Sequence, residues 1–324
     1  MSLLKKSAFG LLTILALLCA PAMANDYPSQ PIRVIVPYAA GGPTDSYARQ
    51  VANELGAALR VSVIVDNKDG ASGNIGMAAA EKARPDGYTL AFISAAQAIN
   101  MTLFKRPGYD LAENFTLVAV AGFLPNIILA HPSLPIKTVA DLIKTAKEKP
   151  GELSFGAGGY GGSSHLSVEV LKMKAGIDMQ YINYRGTGPA MNDFLGGHVP
   201  LLVSDLSGAI PYVKSGQAVA LGVTSAERSR LLPDVPTIAE TYPGFESVGW
   251  YALVAPRQTP PEILAKLRAT ASHALQTPAV KEKLDSIGAI TPRLDEKQTE
   301  AFLPAQVKGW AKNLDGAGIH TTFD

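Results

Sequence analysis

Short apolar runs alternate with stretches of helical periodicity along most of the chain. PIRVIVPYAAGG (Pro31 to Gly42) reads as a buried strand stopped by a turn. TDSYARQVANELGAAL follows, with Tyr47, Val51, Leu55 and Leu59 on one helical stripe. VSVIVDN is a second strand, and GNIGMAAAEKARPDGYTLAFIS supplies a helix, a Pro-Asp-Gly turn and a third strand. Alternation of this kind builds βαβ units and a mainly parallel sheet.

A second block starts near Asn126 with the strand-like NIILAHP. TVADLIKTAKEKPG reads as a helix with Thr138 as N-cap, Asp141 at N3 and Gly151 past its end. ELSFGAGG, SHLSVEVLKMKAG, MQYINY, GPAMNDFLGG and VPLLVSD then alternate strand, helix, strand, helix, strand. After a proline-rich loop comes the strand GWYALVAP, and TPPEILAKLRATASHALQ predicts a helix capped by Thr259 with prolines in its first turn. The pattern implies two α/β lobes, with the chain crossing between them near residues 125 and 250.

Three glycine-rich turns lie between a strand and a helix start. They are Gly41-Gly42 before Thr44, Gly156 to Gly162 before Ser163, and Gly186-Thr187-Gly188 before Pro189. A helix N-terminus carries unpaired N–H groups and partial positive charge, and so holds anions. Glycine lets the backbone approach a ligand with no Cβ in the way. One such turn is ordinary punctuation; three at the carboxyl ends of strands in facing lobes point to a shared cleft. Gly156, Gly158 and Gly161 also spell G-x-G-x-x-G. A dinucleotide site needs that strand at the start of its unit and an acid about 20 residues on. Asp178 falls near that distance but in AGIDM, a helix exit, and a whole lobe precedes the turn. Neither G-x-x-x-x-G-K-[ST] nor G-x-S-x-G occurs.

The first residues form a separate pattern. Lys5 and Lys6 precede the apolar AFGLLTILALLCA, and Ala22-Met23-Ala24 offers small residues for cleavage. The expectation is a signal peptide of residues 1–24, cleaved after Ala24, and a periplasmic mature chain. Losing Lys5 and Lys6 takes the 29 basic residues to 27 against 28 acidic. A near-neutral balance provides no electrostatic footprint for nucleic acid. The only cysteine, Cys19, lies in the leader, so the mature chain has no disulfide, thiolate nucleophile or zinc–cysteine cluster. Stability must come from a large core, which a chain of this length can build.

Taken together, YPSQPIRVIVPYAAGGPTDSYAR, NKDGASGNIG, PDGYTL, GGSSHLSVEVL, YRGTGPAMNDFLGGHV and LGVTSAERSRLLPDVPTIAETYPGFE with WYALVAPRQTP resemble the Bug/TctC family. These are extracytoplasmic solute receptors of tripartite tricarboxylate transporters, and the resemblance runs through essentially the whole mature chain. It implies the α/β type II periplasmic-binding-protein fold, two lobes joined by a hinge with a ligand cleft between them. Lobe 1 is expected over residues 25–124 plus 250–324, and lobe 2 over 125–249. The resemblance places first-loop carboxylate contacts at Tyr38, Gly41, Gly42, Thr44 and Asp45. Asp45 reads better as an organiser of that loop, because two negative charges at close range repel. Further contacts fall on Ser94, Ser163, Ser164 and Thr187, and Asp205 matches an aspartate that meets a ligand ammonium or hydroxyl. Ala157 and Gly162 stand where hydroxyl residues are expected, which puts more weight on backbone N–H groups in lobe 2.

The implied function is capture of a small organic carboxylate by lobe closure and delivery to the large and small membrane subunits of a transporter. The implied receptor is a monomer that needs no cofactor, metal or catalytic residue. A sensor presenting its closed form to a membrane sensor kinase is the alternative partner reading, and an exported hydrolase is the enzyme alternative. Three features stay open. His165 and Glu169 share a helix face at i,i+4, which suits packing, a metal site or an acid/base pair. Arg185 is a surface residue or a cationic rim. Tyr38, Tyr160 and Trp250 cover the cleft or pack the core.

Overall fold

A computed structural model describes residues 27–323 apart from 42, 159, 185, 292, 293, 317, 321 and 322. The leader, Gly42 and Arg185 thus lie outside the described residues. The strands form one continuous nine-stranded sheet, in two halves joined by a shared strand. In the first half, β1 (Ile32–Val36) pairs in parallel with β2 (Val63–Asn67) and β3 (Thr89–Ser94), Val34 lying opposite Val65 and Leu90. Helix α1 (Pro43–Leu59) buries Tyr47, Val51 and Leu55, as their spacing predicts. Helix α2 (Asn74–Glu81) follows β2, and α3 (Ala96–Leu103) follows β3.

After the short α4 (Leu111–Asn114), β4 runs unbroken from Phe115 to Ala130. It therefore starts eleven residues before the strand expected at Asn126. Gly122 and Pro125 look like breaks in sequence; two register shifts against β9 (Val248–Pro256) absorb the irregularity. Residues 115–125 pair antiparallel with β9, whereas 126–130 pair antiparallel with β7 (Leu201–Asp205) and β8 (Val219–Val223). The second half is completed by α5 (Val139–Glu148), β5 (Ser154–Gly158), α6 (Ser163–Ala175), β6 (Gln180–Tyr184), α7 (Thr187–Leu195) and α8 (Leu206–Lys214). There β5 lies parallel between β6 and β7. The expected parallel pairing holds within each block, and the two strands that cross between blocks are the antiparallel ones.

Thr138 is the N-cap of α5 as predicted, and Asp141 at N3 completes a capping box, each accepting the other's N–H at 3.0 Å. Thr259 is not the cap of α9 (Pro261–Ala274); Pro260 is, and the Thr259 hydroxyl donates to the Pro256 carbonyl at 2.8 Å. The prolines pre-set the first turn and have no N–H to cap. Helices α10 (Pro278–Ser286) and α11 (Glu296–Gly316) complete the chain. Two apolar clusters flank the first half of the sheet, around Ile93 and Trp250 on one face and Phe92 and Tyr47 on the other. Two more flank the second half, around Phe155 and Ile127.

Where the chain passes between halves, buried polar groups tie the strands together. The Asn126 N–H donates to Thr224 Oγ1 at 2.9 Å, and its carbonyl accepts the Thr224 N–H at 2.9 Å. Thr224 in turn accepts the Ser247 N–H at 3.0 Å, and Asn126 Nδ2 donates to Ser167 Oγ at 3.1 Å. All four residues are buried, so every one of these groups needs its partner.

Candidate functional site

The first glycine turn is held by Asp45 in the opening turn of α1. Its carboxylate accepts from the Gly41 N–H at 2.8 Å, from Arg49 Nε at 3.0 Å and from Asn67 Nδ2 at 2.9 Å. Asn67 Nδ2 also donates to the Tyr38 carbonyl at 3.0 Å. Burial opposes ionisation of Asp45, but the Arg49 guanidinium, the Gly41 N–H and the Asn67 amide prevail and hold its carboxyl below the ordinary range. The organiser role expected for Asp45 matches these contacts; neither it nor Gly41 lines the cavity described below.

A group whose folded-state pKa is depressed stabilises fully above its unfolded value, near 4, and loses that contribution as acid protonates it. Urea midpoints taken from pH 7 to pH 3 should therefore fall more steeply for the wild type than for Asp45→Asn. Parallel slopes would show that the turn does not draw on this charge.

Beside the turn, Tyr38 OH lies 2.6 Å from Ser94 Oγ and donates to Gln97 Oε1 at 3.0 Å. Gln97 Oε1 also accepts the Ser94 N–H at 3.0 Å, which fixes the orientation of the amide. Burial pushes the Tyr38 hydroxyl up to about 12 against the Ser94 and Gln97 hydrogen bonds, so it stays protonated at neutral pH.

From the other half come three helix starts. Gly162 precedes α6 and Gly186 precedes α7, and neither helix has a side-chain cap. Their first N–H groups stay available. Gly158, at the end of β5, sits so close to the next turn that a Cβ would fall 2.6 Å from Thr187 N. Only glycine lets the two turns nest. Asp205 ends β7 and caps α8: its Oδ1 accepts the Gly208 N–H at 2.8 Å and the Ser207 hydroxyl at 2.7 Å. The Tyr251 hydroxyl is raised by burial and by the negative charge of Asp205, against a hydrogen bond with Thr44.

These elements enclose a cavity of about 310 Å³ between the two halves. Of the residues singled out in sequence, Tyr38, Thr44, Ser94, Ser163, Ser164, Thr187 and Asp205 line it together. Trp250 also lines it, although it is only 1% exposed and belongs to the core. Tyr160 does not; its ring packs near His165, Tyr181 and Phe323. The sequence reading missed Ala95, Ala96, Leu124, Asn126, Gly249 and Tyr251. Apart from the α3 start, these lie on the crossing strands; the position of the crossings, near 125 and 250, was the available signal.

Among the described residues no lysine, arginine or histidine lines the cavity. Positive potential comes instead from helix starts at Thr44, Ser163, Thr187 and Ala96 aimed into one space. Hydroxyls supply further donors, and Asp205 adds one acceptor opposite them. The arrangement suits a small anion that also carries a hydrogen-bond donor.

The chain is similar to known proteins along most of its length. BugT of Bordetella pertussis is 34% identical over 308 residues, 94% of this chain and 94% of that protein. An R. palustris protein solved with adipate has a TM-score of 0.78 at 34% identity, covering 91% of this chain and all of that one. MatC from Rhodopseudomonas palustris, with bound malate, has a TM-score of 0.73 at 30% identity, covering 89% of this chain and all of that one. The two-lobe fold of solute-binding proteins is thus the fold of this chain. The model described as the tripartite tricarboxylate transporter family receptor matches residues 47–318, and the chain belongs to that family of receptors.

Proposed function

We propose that this protein is a periplasmic receptor that closes on a small organic carboxylate and delivers it to the membrane subunits of a tripartite tricarboxylate-type transporter. The observation that carries the reading is the convergence of helix N-termini from both lobes, those of α6 and α7 without a side-chain cap, on a cavity with no cationic side chain among the described residues. Such a cage binds a carboxylate through fixed N–H dipoles while leaving it free to depart once the lobes separate. In this reading lobe 1 is residues 25–124 plus 250–324, lobe 2 is 125–249, and the Asn126–Thr224–Ser247 knot is the hinge. Tyr38, Thr44, Ser94, Ser163, Ser164 and Thr187 hold the anion, and Asp205 meets a hydroxyl or ammonium. Family neighbours solved with adipate and with malate support the dicarboxylate class.

The test is a thermal-shift screen of mono-, di- and tricarboxylates, followed by Trp fluorescence titration of the best acids. The chain has two tryptophans, Trp250 in the cleft wall and Trp310 in α11. At least one acid should raise Tm, by about 2–4 °C for a gain of 1 kcal/mol in a chain of this size. The fluorescence change should survive Trp310→Phe and vanish in Trp250→Phe. Asp205→Asn should weaken malate more than adipate. If no acid shifts Tm and emission never changes, the reading fails.

A further inference from the structure

His165 and Glu169 are buried on α6, next to the cleft, yet neither lines the cavity. His165 Nδ1 accepts the Gly161 N–H at 3.1 Å. A nitrogen that accepts a hydrogen bond carries no proton, so the neutral ring holds its proton on Nε2. Nε2 faces Glu169 Oε1 at 3.6 Å, and Lys172 Nζ reaches both Glu169 oxygens at 3.1 Å. Burial works against the Glu169 charge, but the His165 proton and the Lys172 ammonium outweigh it and keep the carboxyl below its ordinary range. The ring itself is clamped: Tyr181 stacks on it with centroids 3.9 Å apart, and Phe155 and Tyr160 stand at 6.3 and 5.1 Å.

Gly161 belongs to the glycine turn that leads into Ser163 and Ser164 in the cavity wall. Its φ is +74°, and a Cβ there would collide with Leu103 of α3, in the opposite half. The turn therefore touches both halves of the molecule, and the Gly161 N–H is one of its anchors.

We infer that His165 is a positioning residue for ligand capture: its imidazole, held in the Nε2–H tautomer by Glu169, accepts the Gly161 N–H and so sets the glycine turn that presents Ser163 and Ser164 to the anion. The inference rests on the carboxylate reading above and deepens it. The charged groups around the ring are Glu169 and, through it, Lys172 and Asp178, which lies 3.9 Å from Lys172 Nζ. The turn, β5 and β6 face it with the uncharged Tyr160, Phe155 and Tyr181. Elsewhere on α6, β4 and β9 and the residue before β9 meet it at Ser163 and Ser167 through Gly249, Asn126 and Ser247, and α11 meets it through the apolar cluster that includes Leu166.

Two substitutions separate the acceptor from the packing. Asparagine places Oδ1 where Nδ1 stood, and phenylalanine keeps a stacked ring with no acceptor. Hydrogen–deuterium exchange of the ligand-free protein at pH 7.5 should be about tenfold faster over residues 159–163 in His165→Phe, because the Gly161 N–H loses its partner. In His165→Asn it should stay within about threefold of wild type. Calorimetric titration with adipate and with malate should show a roughly tenfold affinity loss for His165→Phe and little for His165→Asn. Exchange and affinity in His165→Phe equal to wild type would overturn the inference, as would losses in His165→Asn as large as those in His165→Phe. If His165→Phe fails to fold, His165→Leu, which also lacks an acceptor, takes its place in both measurements. A wild type that binds neither acid but shows the exchange pattern supports the positioning role and counts against the carboxylate reading.

Discussion

Trp250→Ala should cost about 3–5 kcal/mol of unfolding free energy, as expected for truncating a fully buried indole. The side chain is 1% exposed, its ring meets Phe302 edge-on at 5.2 Å, and its Nε1–H donates to Gln306 Oε1 at 2.7 Å. Alanine leaves a cavity between β9 and α11 and strands the Gln306 acceptor, so two penalties add. Trp250→Phe refills most of the volume and should recover more than half of the loss. Urea unfolding of the three proteins measures both differences. A loss below about 1.5 kcal/mol for alanine would mean that the first-half core closes over the gap.

The largest functional loss is expected at Gly158→Val, with affinity for the preferred acid falling at least about 100-fold, or ~2.7 kcal/mol. The new Cβ would lie 2.6 Å from Thr187 N and 2.7 Å from the Gly186 carbonyl carbon. Both are backbone atoms, so no rotamer change relieves the contact, and the start of α7 must move off the cavity. Gly158→Ala makes the same first contact with less bulk and should fall between. Gly309→Ala, in α11 with nothing near its Cβ position, is the control and should gain about 0.5–1 kcal/mol of stability. Isothermal titration beside far-ultraviolet dichroism separates lost binding from lost fold. Unchanged affinity in Gly158→Val would remove the nested turns from the site.

Much of this site was legible because its parts are local. A strand, a glycine turn and a helix start can be read within a dozen residues, as in the stretch from Ser154 to Ser164, and the helix starts that follow three such turns line one cavity. The N-cap at Thr138 was legible for the same reason. Contributions made by long-range pairing were not. Leu124, Asn126 and Gly249 join the wall because β4 and β9 lie side by side, with Leu124 opposite Gly249, and nothing in either segment announces that register. Asp45 was ambiguous in sequence, since a carboxylate in a glycine turn can face a ligand or its own loop. Arg49 and Asn67 decide it, and Asn67 lies 22 residues away. His165 was weighed as an i,i+4 partner of Glu169, and its bond to Gly161 lies four residues in the other direction.

The order of strands has a consequence for how the molecule is made. In the first half of the sheet, β9 lies between β3 and β4, yet it is the last strand among the described residues. Until residues 248–256 dock, β3 and β4 face a gap one strand wide, and the Trp250 anchor is missing. The second half has all its strands once residue 223 is made, since β4 to β8 are contiguous in sequence. Assembly is therefore polarised: the half encoded in the middle can mature first, and the half carrying the first loop closes only when its late strand slides into the waiting slot.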